Sequence, residues 1–413
     1  MPKVCSRMPF DRSLCLLAVL FALAGCAAKP LPTGELKPWT TGLADEARSN
    51  VSPDKIGAPL VAAWTKDASA WRLLNRYAPA ESSSPALAGG VLYTGSDAGK
   101  VYAIDLASGG ALWSFDADYP VGGAPGVADG KVCFGAANGV FRCLEAASGR
   151  ELWRFQAKSG IVSSPLIKDG RVWFTSSDDR LHALSLDKGE RLWTYTRGTY
   201  QTVAPELPLS SAWHDGNIYQ LFSDGFVVAL AAGSGKQLWE KRVVANFDST
   251  NPARRVPLIH DGLVYVINAK NAVEALDPRT GASMAVYDAI AAYDFVMPGD
   301  RTLVVAGSGA IAAIDTVTGA VLWRRGLAHK PASSIFAAGD LLFILSNFKT
   351  STFDISWFEK TKGHIEAAHL LDGKTAWEAE LDSTLSARGA SAYGRAAFLA
   401  DNGVVRVYSA QQP

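Results

Sequence analysis

The chain has 413 residues, with forty basic and forty acidic side chains. That zero balance excludes a strongly basic chain, so no net charge points to nucleic acid or to an acidic membrane surface. Hydrophobic residues at 48% and charged residues at 19% exclude a disordered chain and describe a folded globular one.

The first element is a leader. Lys3, Arg7 and Arg12 give a basic start, Leu14 to Ala24 is a short apolar run, and small residues follow. The run is too short to span a bilayer as a helix and predicts a secretory signal over 1–25. Its end, Leu23-Ala24-Gly25-Cys26, resembles a bacterial lipobox. That resemblance implies cleavage before Cys26, acylation of the Cys26 thiol and of the new amine, and stable anchoring by several acyl chains. Ala27 is not Asp, so the inner-membrane retention signal of enteric bacteria is lacking. This favours an outer-membrane anchor with the body of the protein in the periplasm. Pro30, Pro32, Pro38 and many small residues predict that 26–54 is the lipidated Cys and a flexible tether.

From residue 101 onward a repeat governs the chain. "VYAIDLASGGALW", "FRCLEAASGRELW", "LHALSLDKGERLW", "VVALAAGSGKQLW", "IAAIDTVTGAVLW" and "IEAAHLLDGKTAW" end at Trp113, Trp153, Trp193, Trp239, Trp323 and Trp377. A seventh copy, "VEALDPRTGASMA", has Ala285 in the Trp position. A small residue recurs at Ala103, Cys143, Ala183, Ala229, Ala275, Ala313 and Ala367, and a Gly follows each six positions later. The regular spacing of 40 is that of a four-stranded propeller blade. Asp129-Gly130 and Asp169-Gly170 are two-residue hairpin signals between alternating apolar runs. At the C-terminus "GVVRVYSA" is an eighth third strand with no fourth strand after it, while "APLVAAWTKDA" around Trp64 is a fourth strand with no blade before it. The prediction is one all-β domain over 55–413: an eight-bladed β-propeller of four-stranded blades, the N-terminal strand completing the last blade and removing an open edge. A Trp beside an Ala is explained by packing between sheets, and the Gly by the turn.

Ten residues before each small position stands a large one: Tyr93, Trp173, Tyr219 and Tyr265. Large opposite small predicts cross-strand neighbours. In blade two both positions are cysteine, so Cys133 and Cys143 face each other, and an oxidising compartment favours a disulfide over two buried thiols.

The spacing of Ala, Gly and Trp resembles the repeat of quinoprotein-type propellers along nearly the whole mature chain. Two families share it: quinone-dependent dehydrogenases, and BamB, the lipoprotein of the outer-membrane β-barrel assembly machinery. The lipobox, the tether and eight blades are similar to BamB. The dehydrogenases carry adjacent cysteines and a calcium site of several oxygen ligands, and this sequence has neither a Cys-Cys pair nor a distinct cluster of Asp, Glu and Asn. The six histidines are scattered, G-x-S-x-G is absent, and "GSGA" and "GSGK" are hairpin turns with no helix after them. The resemblance therefore implies no enzyme activity, no cofactor and no metal. It implies a lipid-anchored scaffold, monomeric within a complex, that binds a BamA-like barrel-assembly subunit and unfolded barrel precursors and assists barrel insertion. A binding lipoprotein of the same fold for an envelope polymer or another complex is the second reading, and a quinone-dependent enzyme the third.

Departures from the 40-residue spacing mark candidate contact sites, because function on a propeller lies in its loops. Ala183 to Ala229 and Ala229 to Ala275 are each 46, with the surplus in "TYTRGTYQTVAPELPLSS" and "EKRVVANFDSTNPARR". In the BamB family the loop at the first place contacts the barrel subunit through a Leu-x-Leu-Arg signature in enteric members. Here Leu207-Pro208-Leu209 is followed by Ser210. The expected contact surface is Arg197, Tyr200, Glu206, Leu207 and Leu209, with Arg254 and Arg255 adding positive charge. Ala313 to Ala367 is 54, the surplus lying between the second and third strands of blade seven, where Phe353, Trp357 and Phe358 make a second candidate contact.

Overall fold

Each copy of the repeat folds as a four-stranded antiparallel sheet, for local reasons. In the third copy, Asp169 and Gly170 adopt φ values of 48° and 68°, the mirror-image turn that matches strand twist. The turn sets Arg171–Ser176 against Leu166–Lys168, and Arg180–Ser185 and Arg191–Thr196 follow. Strand residues alternate between the two faces of the sheet, and both faces are covered by neighbouring sheets, so the second and third strands are almost wholly buried.

The structure, a computed structural model, describes residues 37–68, 81–197, 209–244, 254, 256–351 and 359–411. It is an eight-bladed propeller. Blades one to seven occupy 86–116, 126–156, 166–196, 212–242, 258–287, 292–326 and 332–381. Blade eight takes three strands from 390–410 and its outermost from Leu60–Asp67, with Trp64 opposite Val407. First strands of neighbouring blades touch around the axis, so the first strand of every blade is innermost.

The predicted register is observed. Tyr93, Trp173, Tyr219 and Tyr265 lie opposite Ala103, Ala183, Ala229 and Ala275. Cys133 lies opposite Cys143 with Cα atoms 4.1 Å apart, a close cross-strand pair, and their sulfurs are bonded.

The Trp ladder stitches blade to blade. The indole N–H of Trp64 donates to the Leu106 carbonyl at 2.9 Å, and Trp113, Trp153, Trp193, Trp239 and Trp323 donate likewise to Ala146, Leu186, Ala232, Pro278 and Leu370. The repeated Gly does more than turn the chain. A Cβ on Gly149 would meet the Trp113 ring at 2.7 Å, and the same holds at Gly109, Gly189, Gly235, Gly281 and Gly373 with the indole of the preceding blade. Blade five, lacking its Trp, supplies the inter-blade bond from Tyr287, whose O–H donates to the Thr316 carbonyl at 2.8 Å.

The tether expectation is corrected over 37–54. Those residues close one mouth of the axial channel. Trp39 exchanges backbone hydrogen bonds with Leu87 of blade one, and the Thr40 carbonyl accepts from Val127 of blade two. Lys168 of blade three donates to Glu46 at 2.7 Å. The Glu46 and Ala47 carbonyls accept from Trp213 of blade four and Ile259 of blade five. Val51–Ser52 run parallel to Ala337–Ala338 of blade seven, and Asp54 accepts from the Tyr393 amide of blade eight at 2.6 Å. The chain thus makes one circuit of the inner strands. The physical reason is that each innermost strand has a free edge facing the axis, and those N–H and C=O groups need partners once water is excluded.

Candidate partner-binding face

Strand order fixes which connections share a face. Links between blades and turns between second and third strands lie at one end of the ring. Turns between first and second strands lie at the other, where the mouth segment sits. The strand ends that flank all three long insertions, around 198–208, 245–255 and 352–358, therefore belong to the end opposite the mouth segment.

The feet of the first insertion are well built. Arg197 follows the outer strand of blade three. Its Nε donates to Asp224 Oδ2 at 2.8 Å and its Nη1 to Glu240, both on blade four. Its guanidinium lies 4.8 Å from the centre of the Phe226 ring, with Arg242 on the same ring at 5.8 Å. Burial by itself lowers the Arg197 pKa, and the bonds to Glu240 and Asp224 outweigh it, so the net shift is upward. At the far foot Leu209 is buried, Ser210 accepts from the Ser164 amide, and Ser211 donates to Gln220.

Two expected contact residues are thereby corrected. Leu209 faces the interior as the anchor of its loop, leaving nothing for a partner to touch. Arg254 turns inward to the axis: Nη1 is 3.7 Å from Asp294, Nε donates to the Val256 carbonyl and Nη2 to the Arg48 carbonyl. Arg48 itself donates to the carbonyls of Ser211, Ser164 and Pro165 and to Thr41 Oγ1. Burial lowers the pKa of Arg48 to about 10 and of Arg254 to about 9, so both remain charged at neutral pH. Arg388 completes the group, 2.6 Å from the other oxygen of Asp294. Arg197 remains at the rim. Tyr200, Glu206, Leu207, Arg255, Phe353, Trp357, Phe358 and Cys26 lie outside the described residues.

The blade-seven insertion is a long hairpin, Leu341–Ser351 paired with Glu359–His369. At its root Phe348 stacks on His329 at 4.0 Å, His364 stands edge-on to the same imidazole at 4.5 Å, and Asn347 exchanges two hydrogen bonds with Leu385. Burial and the neighbouring His364 lower the His329 pKa. Among the described residues no group of three or more His, Cys, Asp or Glu is arranged to hold a metal ion.

Sequence reasoning missed the mouth segment and the axial charge cluster. The available signal was Trp39 together with Leu43 and Ile56, three large apolar side chains in a stretch otherwise composed like a tether.

Against this geometry the comparisons with known proteins are informative. A family described as outer membrane protein assembly factor BamB matches residues 60–142, 133–294 and 269–411. A curated relative, the outer membrane protein assembly factor BamB of Salmonella typhimurium (strain LT2), is 27% identical over 126 residues, 29% of this chain and 32% of the relative. The chain thus spans about a third of that relative's length. Among solved structures, BamB from Moraxella catarrhalis is similar with a TM-score of 0.65 and 17% identity, over 86% of this chain and 99% of that one. A europium-containing methanol dehydrogenase is similar with a TM-score of 0.68 and 13% identity, over 90% and 98%. At such identities the two structures speak to the fold alone.

Proposed function

The chain belongs to the family of outer membrane protein assembly factor BamB, and from that premise we propose that it is a non-enzymatic, lipid-anchored scaffold in the assembly of outer-membrane β-barrel proteins. The observation that carries the reading is the family match from residue 60 to 411, the whole ring. The axis adds support. Arg254 and Arg388 share the Asp294 carboxylate and Arg48 donates to backbone carbonyls, so the charged groups there are held by structural partners.

The ring is tied to the periplasmic side of the outer membrane through acylated Cys26. Its partner is a BamA-like barrel subunit, docked on the long-loop end around Arg197 and the adjoining loop residues Tyr200, Glu206, Leu207 and Arg255. Unfolded barrel precursors are a second class of ligand, and the hairpin carrying Phe353, Trp357 and Phe358 is a second contact. Affinity purification of the full chain from membranes tests this: barrel-assembly subunits co-elute with it, and their absence from the eluate overturns the reading. Mass spectrometry of the mature N-terminus tests the anchor, with acyl chains expected on Cys26.

A second reading is a lipoprotein of the same fold that binds an envelope polymer or another protein complex. The observation favouring it is Ser210, where enteric members of the family carry Arg. The same purification separates the two by what elutes.

A further inference from the structure

We propose that the seam between blades five and six is a docking seat for an aromatic side chain carried on an extended strand of another polypeptide. This rests on the binding role proposed above and names a site for the unfolded ligand.

Six seams of this ring show what such a seat holds. In each, the repeated Gly of one blade lies flat against the indole of the blade before, with a hypothetical Cβ 2.4 to 2.8 Å from the ring. At Gly319, which has the same backbone conformation at φ 72°, nothing lies within 4 Å of that position. Gly319 is exposed where its six counterparts are buried or half-buried. The cause is Ala285, which stops short of the space an indole would fill. The polar part of the seat is already satisfied, because Tyr287 donates to Thr316. What remains is open space over Gly319 beside Ala285, which admits a flat ring and needs no further donor, so Trp, Tyr and Phe all suit it.

A second observation concerns the edge beside this open space. The outer strand of blade five, Ser283–Tyr287, contains no charged residue, and it is the last strand of its sheet. The outer strands of the other seven blades all carry at least one Lys, Arg, Asp or Glu, such as Arg154, Glu240 and Arg324. Charge on an edge strand discourages pairing with foreign strands. In its place blade five presents Met284 at 59% and Val286 at 51% exposure. A strand added along this edge sets every second side chain on the face of Ala285, and a residue directly opposite Ala285 stands about 5 Å away, within reach of the open space over Gly319 for an aromatic ring. The ligand is therefore an extended, alternately apolar segment with an aromatic residue, the pattern of a barrel strand with its aromatic girdle.

The test uses the full ring and a short fluorescent peptide alternating Val and Thr with one central Trp, read by anisotropy. The wild-type ring binds it. Ala285→Trp fills the seat from within, and Val286→Lys restores a charge to the edge; each weakens binding about tenfold or more, as does Trp→Ala in the peptide. A thermal melt confirms that each variant is folded, and Val286→Lys serves if Ala285→Trp is not. No binding by the wild-type ring, or equal binding by both folded variants, overturns the seat, as does equal binding of the Trp→Ala peptide. The seat is on the rim opposite the long loops. Loss of peptide binding with the barrel subunit retained is thus the expected outcome for the variants. A wild-type ring that binds the peptide but retains no barrel subunit overturns the proposed function and leaves the seat standing.

Discussion

The two mouths of the channel are built on opposite principles. At one, residues 39–54 satisfy the free inner edges of the ring and bury Trp39 and Arg48 almost completely. At the other, the inserted loops stand on rooted feet, and the charged group at the rim, Arg197, keeps ion pairs that reach the solvent boundary. One mouth is closed by groups whose hydrogen-bonding needs are met within the chain. The other is flanked by the strand ends from which the three insertions leave, with Arg197 at the first of them. If the barrel subunit docks at the loop-bearing end as proposed, substitutions in the mouth segment and its axial partners are expected to change stability, and substitutions around Arg197 to change retention of that subunit.

The largest effect is expected on the axis, where Arg254 meets the mouth segment at the Arg48 carbonyl, and in the mouth segment itself. Asp294→Ala leaves the guanidinium groups of Arg254 and Arg388 without their carboxylate in a buried setting, a loss of about 3–5 kcal/mol by urea denaturation. Trp39→Ala removes a ring packed edge-on against Phe336 at 5.7 Å and costs about 3–4 kcal/mol in the same assay. Both variants, where folded, retain the barrel subunit; loss of the subunit from a folded Trp39→Ala ring would break the division between the ends.

Toward the loop-bearing end the effects become conditional. His182 is buried against Phe174 and accepts or donates at Ser176, and burial lowers its pKa from 6.5 to about 4. The unfolded chain therefore binds a proton that the folded chain refuses. This contribution is complete above pH 6.5 and is lost as pH falls through 6.5 toward 4, amounting to about 3 kcal/mol at most. Denaturation midpoints measured at both ends of that window should differ for the wild type, and the difference should shrink in His182→Gln. The smallest stability change is expected for Arg197→Gln, about 1–2 kcal/mol, because it removes the pairs to Asp224 and Glu240 without adding a third carboxylate beside them. Its effect on co-purification is the reverse: loss of the barrel subunit from a ring that still melts cooperatively. A retained subunit would remove Arg197 from the contact surface.

Most of the fold was legible because it is periodic. The small residue, Gly and Trp recur at fixed offsets, so register, blade number and the closing strand around Trp64 followed from spacing, and so did the facing positions of Cys133 and Cys143. What was not legible depends on contacts between units. The Gly that seats a Trp belongs to the next blade, so no single repeat displays the pair. In blade five, where Ala285 stands in the Trp position, Tyr287 makes the inter-blade hydrogen bond from two positions along the strand, a replacement that only three-dimensional reach reveals. Arg254 sits in a stretch that reads as a solvated basic loop, and its carboxylate is Asp294, forty residues on and in another blade. Residues 37–54 have no period because their partners are spread around a ring and not along a face.

The circuit of the mouth segment has a consequence for the order of events in folding. Residues 39–54 leave the ribosome before any of their partners, which extend from Leu87 to Tyr393. The strand Leu60–Asp67 likewise waits for Val404–Ala410. Pairings of such sequence separation form late and slowly. A chain cut short of blade eight has every earlier blade available, yet its strand Leu60–Asp67 keeps an unpaired backbone and the ring stays open between blades seven and one. Such a product is a target for proteolysis, and so the ring makes its own completion the condition of its survival.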